Sequence, residues 1–121
     1  MCKSIAALAS MFFGAKLKGE VERAGFNYLG AIGENGLMKH AVESTPVAIF
    51  LDLGKDDIDF KSLVSTLRSN ETTTSIPIVA FCGHVETQKL AAAKEWGCNL
   101  VTTNGAVSNS FETVLQNVTG S

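Results

Sequence analysis

Basic residues do not outnumber acidic ones in this chain. Ten lysines and arginines stand against twelve aspartates and glutamates, a net charge of −2. That removes the electrostatic footprint which binding to nucleic acid or to anionic lipid requires. Cysteine is sparse as well. Cys2, Cys82 and Cys98 are an odd number at scattered positions, which makes neither a disulfide framework nor a zinc signature. A reducing, cytoplasmic setting is therefore expected. No apolar run is long enough for a membrane span. The segment from Ile5 to Phe13 is nine residues, with Lys16 and Lys18 close behind, and a spanning helix needs about 20. A cleaved leader is the rival reading of that segment, but the rhythm that follows needs it as a first strand. There is no internal repeat, low-complexity tract or linker, and only two prolines. The matches to the glycosylation sequon at Asn70 and Asn117 are read as chance. One domain over residues 1–121 is expected, long enough to bury a core without staples.

What is present is an alternation. Short apolar runs bounded by turn residues take turns with segments of helical period. Ile5 to Leu8 reads as a strand. Phe13, Leu17, Val21 and Ala24 then share one face of a helix that Gly25 stops. Tyr28 to Ile32 is the second strand, and Glu34-Asn35-Gly36 reads as a turn into the helix of Leu37 to Val42. Pro46 introduces the third strand, Val47 to Leu51, apolar at every position and so placed at the sheet centre. Leu63, Val64 and Leu67 mark a third helix, and the polar stretch Glu71 to Ser75 leads through Pro77 into Ile78 to Phe81. A fourth helix runs from about Glu86 to Trp96, capped by Gly97. Leu100 to Thr102 is the fifth strand, and Phe111, Leu115 and Val118 share a face of the last helix. Five strands and five helices in strict alternation predict an α/β fold. Its sheet is doubly wound, five-stranded and parallel, with helices on both faces.

Asp52 follows the most hydrophobic of these strands, at the carboxyl edge where open α/β sheets bind ligands. Ala24-Gly25-Phe26, Glu34-Asn35-Gly36, Leu51-Asp52-Leu53, Ile76-Pro77-Ile78-Val79 and Gly97-Cys98-Asn99 occur in order and at fitting intervals. In this the chain resembles the response-regulator receiver domains, the CheY-like family, over nearly its whole length. The resemblance implies that Asp52 is the phosphoacceptor position of a two-component phosphorelay protein. It also shows what is missing. The family's acidic pair, which helps to hold magnesium, falls on Leu8 and Ala9. Its strand-four hydroxyl falls on Cys82 and its strand-five lysine on Asn104. The switch aromatic falls on Val101, the proline after the lysine on Gly105, the Met-Pro after the Asp on Lys55-Asp56, and a later glycine on Phe60.

Phosphoryl transfer depends on positioning and charge neutralisation, and those elements are gone. The expected function is that of a pseudo-receiver, not an enzyme, with no cofactor and no magnesium. It would act through phosphorylation-independent contacts with a signalling protein or another domain of the same chain. The family's usual face predicts Trp96, Val101, Thr103 and Gly105 as contact residues, with positions near Val107 and Asn109. Trp96 reads equally as a core residue or an exposed anchor. Two rival readings stand beside this one. Asp52 is a working phosphoacceptor with altered ligands drawn from Asp56, Asp57 and Asp59; or Cys82, with His84 as its base, serves a small α/β enzyme or ligand-binding domain. The bland alternatives are a backbone-bonded carboxylate at Asp52, a solvated loop with an acidic helix start, a buried cysteine and a surface His40. The segment Ser10 to Gly14 is not glycine-rich, so no phosphate loop follows the first strand.

Overall fold

A computed structural model describes residues 3–83 and 85–119. Its element order is β1 (Ser4–Leu8), α1 (Met11–Arg23), β2 (Asn27–Ala31), α2 (Glu34–Ser44), β3 (Ala48–Asp52), α3 (Phe60–Ser69), β4 (Ile78–Cys82), α4 (Thr87–Glu95), β5 (Leu100–Thr103), α5 (Asn104–Asn109) and α6 (Phe111–Thr119). The strands form one parallel sheet in the order β2-β1-β3-β4-β5. β3 is central, as its unbroken apolar sequence predicts, because only a strand covered on both faces can be apolar throughout.

Alternation along each strand divides the core in two. Ala6, Leu8, Ile49, Leu51, Ile78 and Ala80 point to the side covered by Leu37 of α2, Leu63 and Leu67 of α3 and Ala93 of α4. Ile5, Ala7, Phe50, Val79 and Phe81 point the other way, onto Leu17 and Val21 of α1, Val107 of α5 and Phe111 and Leu115 of α6. The second layer is aromatic at its centre. Phe50 stacks on Phe111 at 5.3 Å between centroids and tilts against Phe81 at 6.5 Å.

Local chemistry sets the element ends. Ser10 caps α1, its hydroxyl accepting from the Phe13 N–H, and Gly25 and Gly97 adopt φ of +93° and +97° after α1 and α4, conformations that favour glycine. Two expectations need correction. Glu34-Asn35-Gly36 is not a turn but the first turn of α2, where the Glu34 carboxylate meets the positive end of the helix dipole. The last helix is two helices. Thr103 caps a short α5, accepting from the Ala106 N–H, and Ser110 at φ −135° breaks it before α6 begins. Among the described residues six helices therefore accompany five strands, and the alternation fails at its final step.

Candidate functional site

Asp52 is the last residue of β3. The sheet register sets it beside Phe81 of β4 and carries Leu51 beside Leu8 of β1. It is a buried side chain, 6% exposed, and both its oxygens are engaged by backbone. Oδ1 accepts from the Gly54 N–H at 2.9 Å and Oδ2 from the Ser10 N–H at 3.3 Å. Hydrogen bonds to an ionised acceptor contribute about 1.5–3 kcal/mol each, from which the cost of burying the carboxylate is deducted. The carboxylate thus staples the end of β3 to its own turn and to the start of α1. Glycine at position 54 permits this, because a Cβ there would lie 3.0 Å from Oδ1.

The side chains around Asp52 carry little charge. Leu8 is fully buried and Ala9 is 4% exposed, both apolar where a cation would need oxygen. Cys82, ending β4, is buried, and its thiol donates to the Glu86 carbonyl at 3.8 Å. Burial, and then the Glu86 carboxylate, push the Cys82 thiol up from its usual range. That is the opposite of an activated thiolate. The partner base expected for it, His84, lies outside the described residues. Asn104 begins α5, and its Oδ1 is buried with no hydrogen-bond partner.

A shallow crevice of about 380 Å³ opens over Asp52, between the first turn of α1 and α5. It brings together Asp52, Asn104 and Gly105, which the sequence singles out, with Lys16 and Ser108, which it does not. Lys16 is the one ammonium group on that rim. It is exposed, and its Nζ sits 5.0 Å from the Phe12 ring centroid, a cation–π contact. Its position one turn into the helix after β1 was the signal available in the sequence.

The acidic loop after β3 is occupied by other contacts. Asp57 pairs with Lys55 at 3.3 Å, and Asp56 with Lys89 at 3.2 Å. Asp59 caps α3 by accepting from the Ser62 N–H. Lys89 also pairs with Glu86 at 3.0 Å and donates to the Leu53 carbonyl, and hydrogen bonds to Glu86 and Asp56 raise its pKa. The i,i+3 spacing of Glu86 and Lys89 made part of this network readable. Among the described residues no three His, Cys, Asp or Glu side chains are grouped to share a metal ion. One buried carboxylate with both oxygens taken does not fit a cation that wants six oxygens in octahedral array.

The expected contact face is divided. Trp96 caps α4, half-buried against the α2–α4 core, and lines a groove toward Leu53, Ile58 and Phe60. Val101 and Thr103 are half-buried on β5, while Gly105 and Asn109 are exposed on α5. Val107 is fully buried in the aromatic core, because the short α5 turns that side chain onto the sheet. It is not a surface residue. His40 is half-buried, its Nε2 placed 3.2 Å from the Gly30 carbonyl.

No family model matches the sequence, and no curated protein does. Solved structures do. A response regulator from Thermotoga maritima superimposes with a TM-score of 0.81 at 13% identity, over 100% of both chains. The fold is that of the receiver domains. The signal receiver domain of a histidine kinase from Syntrophus aciditrophicus gives 0.82 at 14% identity, over 98% of this chain and 91% of that one. NtrX from Brucella abortus gives 0.85 at 14% identity over 99% of this chain, which spans only 27% of NtrX. At such identities the receiver fold is shared while the side chains on it are free to differ.

Proposed function

We propose that this chain is a receiver-like signalling domain that has given up phosphoryl transfer and works by constitutive contact with a protein partner. The observation that carries this reading is the state of Asp52. Its two oxygens are held by the Ser10 and Gly54 N–H groups, and the neighbouring strand ends present Leu8, Ala9, Cys82 and Asn104. An aspartyl phosphate there would break the staple and add negative charge with neither a metal nor a lysine of β5 to offset it. The partner is a signalling protein or a neighbouring domain in the same chain, in the cytoplasm. The net charge of −2 supports neither nucleic acid nor anionic membrane as the target.

One observation favours the phosphorelay reading. Lys16 lines the same crevice as Asp52, where it could serve in place of the missing lysine. Incubation with acetyl phosphate and magnesium followed by intact-mass measurement separates the two. The expected result is no stable added phosphoryl group. An 80 Da adduct abolished by both Asp52→Asn and Lys16→Met would establish Asp52 as a working acceptor and overturn the pseudo-receiver reading.

A further inference from the structure

We infer that the amino edge of the sheet, opposite Asp52, holds a ligand site, and that it takes a short apolar peptide with both termini free. The site owes nothing to the chemistry at Asp52. It goes beyond the contact reading and stands or falls apart from it.

A cleft of about 760 Å³ opens where β1, β3 and β4 begin, between those strand starts and α6. That is about twice the crevice over Asp52, and within the roughly 300–1,000 Å³ of small-molecule sites. Its floor is apolar. Pro46 is buried, Ile76 and Leu115 are each 7% exposed, and Phe26 and Val118 are half-buried around them.

The walls are braced without any ligand. Arg68 donates from Nη1 to the Thr74 carbonyl at 2.8 Å and to the Ile76 carbonyl at 2.9 Å, which fixes the 74–76 segment. The Val47 N–H donates to the Ser4 carbonyl at 2.9 Å. Thr45, on the opposite wall, is the one non-glycine residue of left-handed φ, +39°, among the described residues. Pro46 after it disfavours the right-handed helical region there. A β-branched residue keeps a left-handed backbone only where its surroundings hold it. Small-ligand sites are largely pre-formed in this way.

Two opposite charges line the cleft, Lys3 before β1 and Glu112 in the first turn of α6. Both are exposed. Neither pairs with the other or makes a side-chain hydrogen bond among the described residues. Arg68, behind the 74–76 segment, is taken up by carbonyl groups of its own chain. A ligand with a carboxylate for Lys3 and an ammonium for Glu112 answers both charges, with apolar side chains over the floor between them. A fatty acid or an alkylamine would leave one of the two unanswered. A tripeptide spans up to about 10 Å between its termini and fills more of the cleft than a single amino acid.

The test uses the full 121-residue chain, isotope-labelled, and three probes: trileucine, its N-acetyl form and its C-terminal amide. Trileucine should shift the amides near Phe26, Val47, Ile76 and Leu115 and leave those around Asp52 in place. Acetylation removes the ammonium and amidation the carboxylate, and each should weaken binding at least fivefold. In Glu112→Gln the effect of acetylation should shrink below twofold, and in Lys3→Met so should that of amidation. Both variants change exposed side chains and should melt as the parent does. Gln116→Trp, which adds a ring to the cleft wall, should weaken binding at least tenfold. Equal affinity for the three probes, shifts confined to other surfaces, or no saturable binding at millimolar peptide would overturn the inference. So would a dimer in sedimentation that Gln116→Trp dissolves, because a second copy would then cover the cleft. An 80 Da adduct on Asp52 with trileucine still bound would sink the pseudo-receiver reading and leave this site standing. No adduct and no peptide binding would do the reverse.

Discussion

Along β3 and β4 every side chain from Ala48 to Asp52 and from Ile78 to Cys82 is buried, whereas Val85, three residues beyond Cys82, is 77% exposed. The two regions are built from the same kinds of residue and do different work. In the strands, Phe50 and Phe81 fill space between sheet and helices and hold a fold shared with receiver domains at very low sequence identity. At the carboxyl edge, the loops carry Met11, Phe12, Ile32 and Val85 into solvent, and the strand ends present Leu8, Ala9, Cys82 and Asn104. The difference teaches that packing on both faces of the sheet fixes the interior whatever the domain does, while the edge loops, held by fewer contacts, tolerate a wider range of side chains.

The comparison can be pressed by substitution, beginning inside. Phe50→Ala removes the ring stacked on Phe111 and should cost about 4 kcal/mol by urea denaturation. A cost below about 1 kcal/mol would mean that the interior is as tolerant as the edge. Leu8 lies on the boundary between the regions. Leu8→Asp would bury a carboxylate among apolar neighbours and should lower stability by about 3 kcal/mol or more. If millimolar magnesium restored that loss, the edge would still keep the geometry of a metal site. Alkali provides a test away from the edge. Burial pushes the Cys98 thiol up to about 11, against an ordinary 9, with the Arg68 charge pulling slightly the other way. The folded state holds the proton longer than the unfolded chain. This stabilisation is therefore whole below pH 9 and is lost as pH rises through about 11. Chemical denaturation at pH 8 and pH 10.5 should show the loss, and Cys98→Ala should reduce it, the remainder coming from Cys82 and Tyr28, whose pKa values burial also raises.

Smaller effects belong to the edge. Asp52→Ala leaves the Ser10 and Gly54 N–H groups without their acceptor and should cost about 2 kcal/mol. A neutral outcome would remove the staple role assigned to this carboxylate. Phe12→Ser, on a side chain already in water, should change stability by no more than about 0.5 kcal/mol. A larger loss would show that Phe12 belongs to the fold and not to a contact surface.

The strand sequence was legible because burial on both faces demands uninterrupted apolar runs, so β3 and β4 announced themselves. The central place of β3 followed from its being the most apolar strand, while the full order β2-β1-β3-β4-β5 is a finding of the structure. The split of the last helix at Ser110 was not legible. Asn104 to Asn109 is too short to display a period, and its start depends on the Thr103 side chain reaching the Ala106 N–H. Val107 was misplaced for the same reason. The candidate site was legible in its residue types and not in its connections. That Leu8 and Ala9 have no ligating side-chain atom, and that Asn104 carries no charge, are properties of those side chains in any fold. That Asp52 is clamped by Ser10, 42 positions away in sequence, is a property of the sheet register.

The sequence by itself determined most of the elements, the parallel sheet and the chemical types of the side chains at its strand ends, because side-chain chemistry and hydrophobic period are local. Only the tertiary structure decided that Lys16 shares the crevice of Asp52 and that Lys89 draws in the acidic loop. It also decided that the loops carrying Met11, Phe12, Ile32 and Val85, far apart along the chain, open at the same edge of the sheet. Parallel strands all end on the same side, and that common ending, invisible in any one segment, gathers their loops into a single surface.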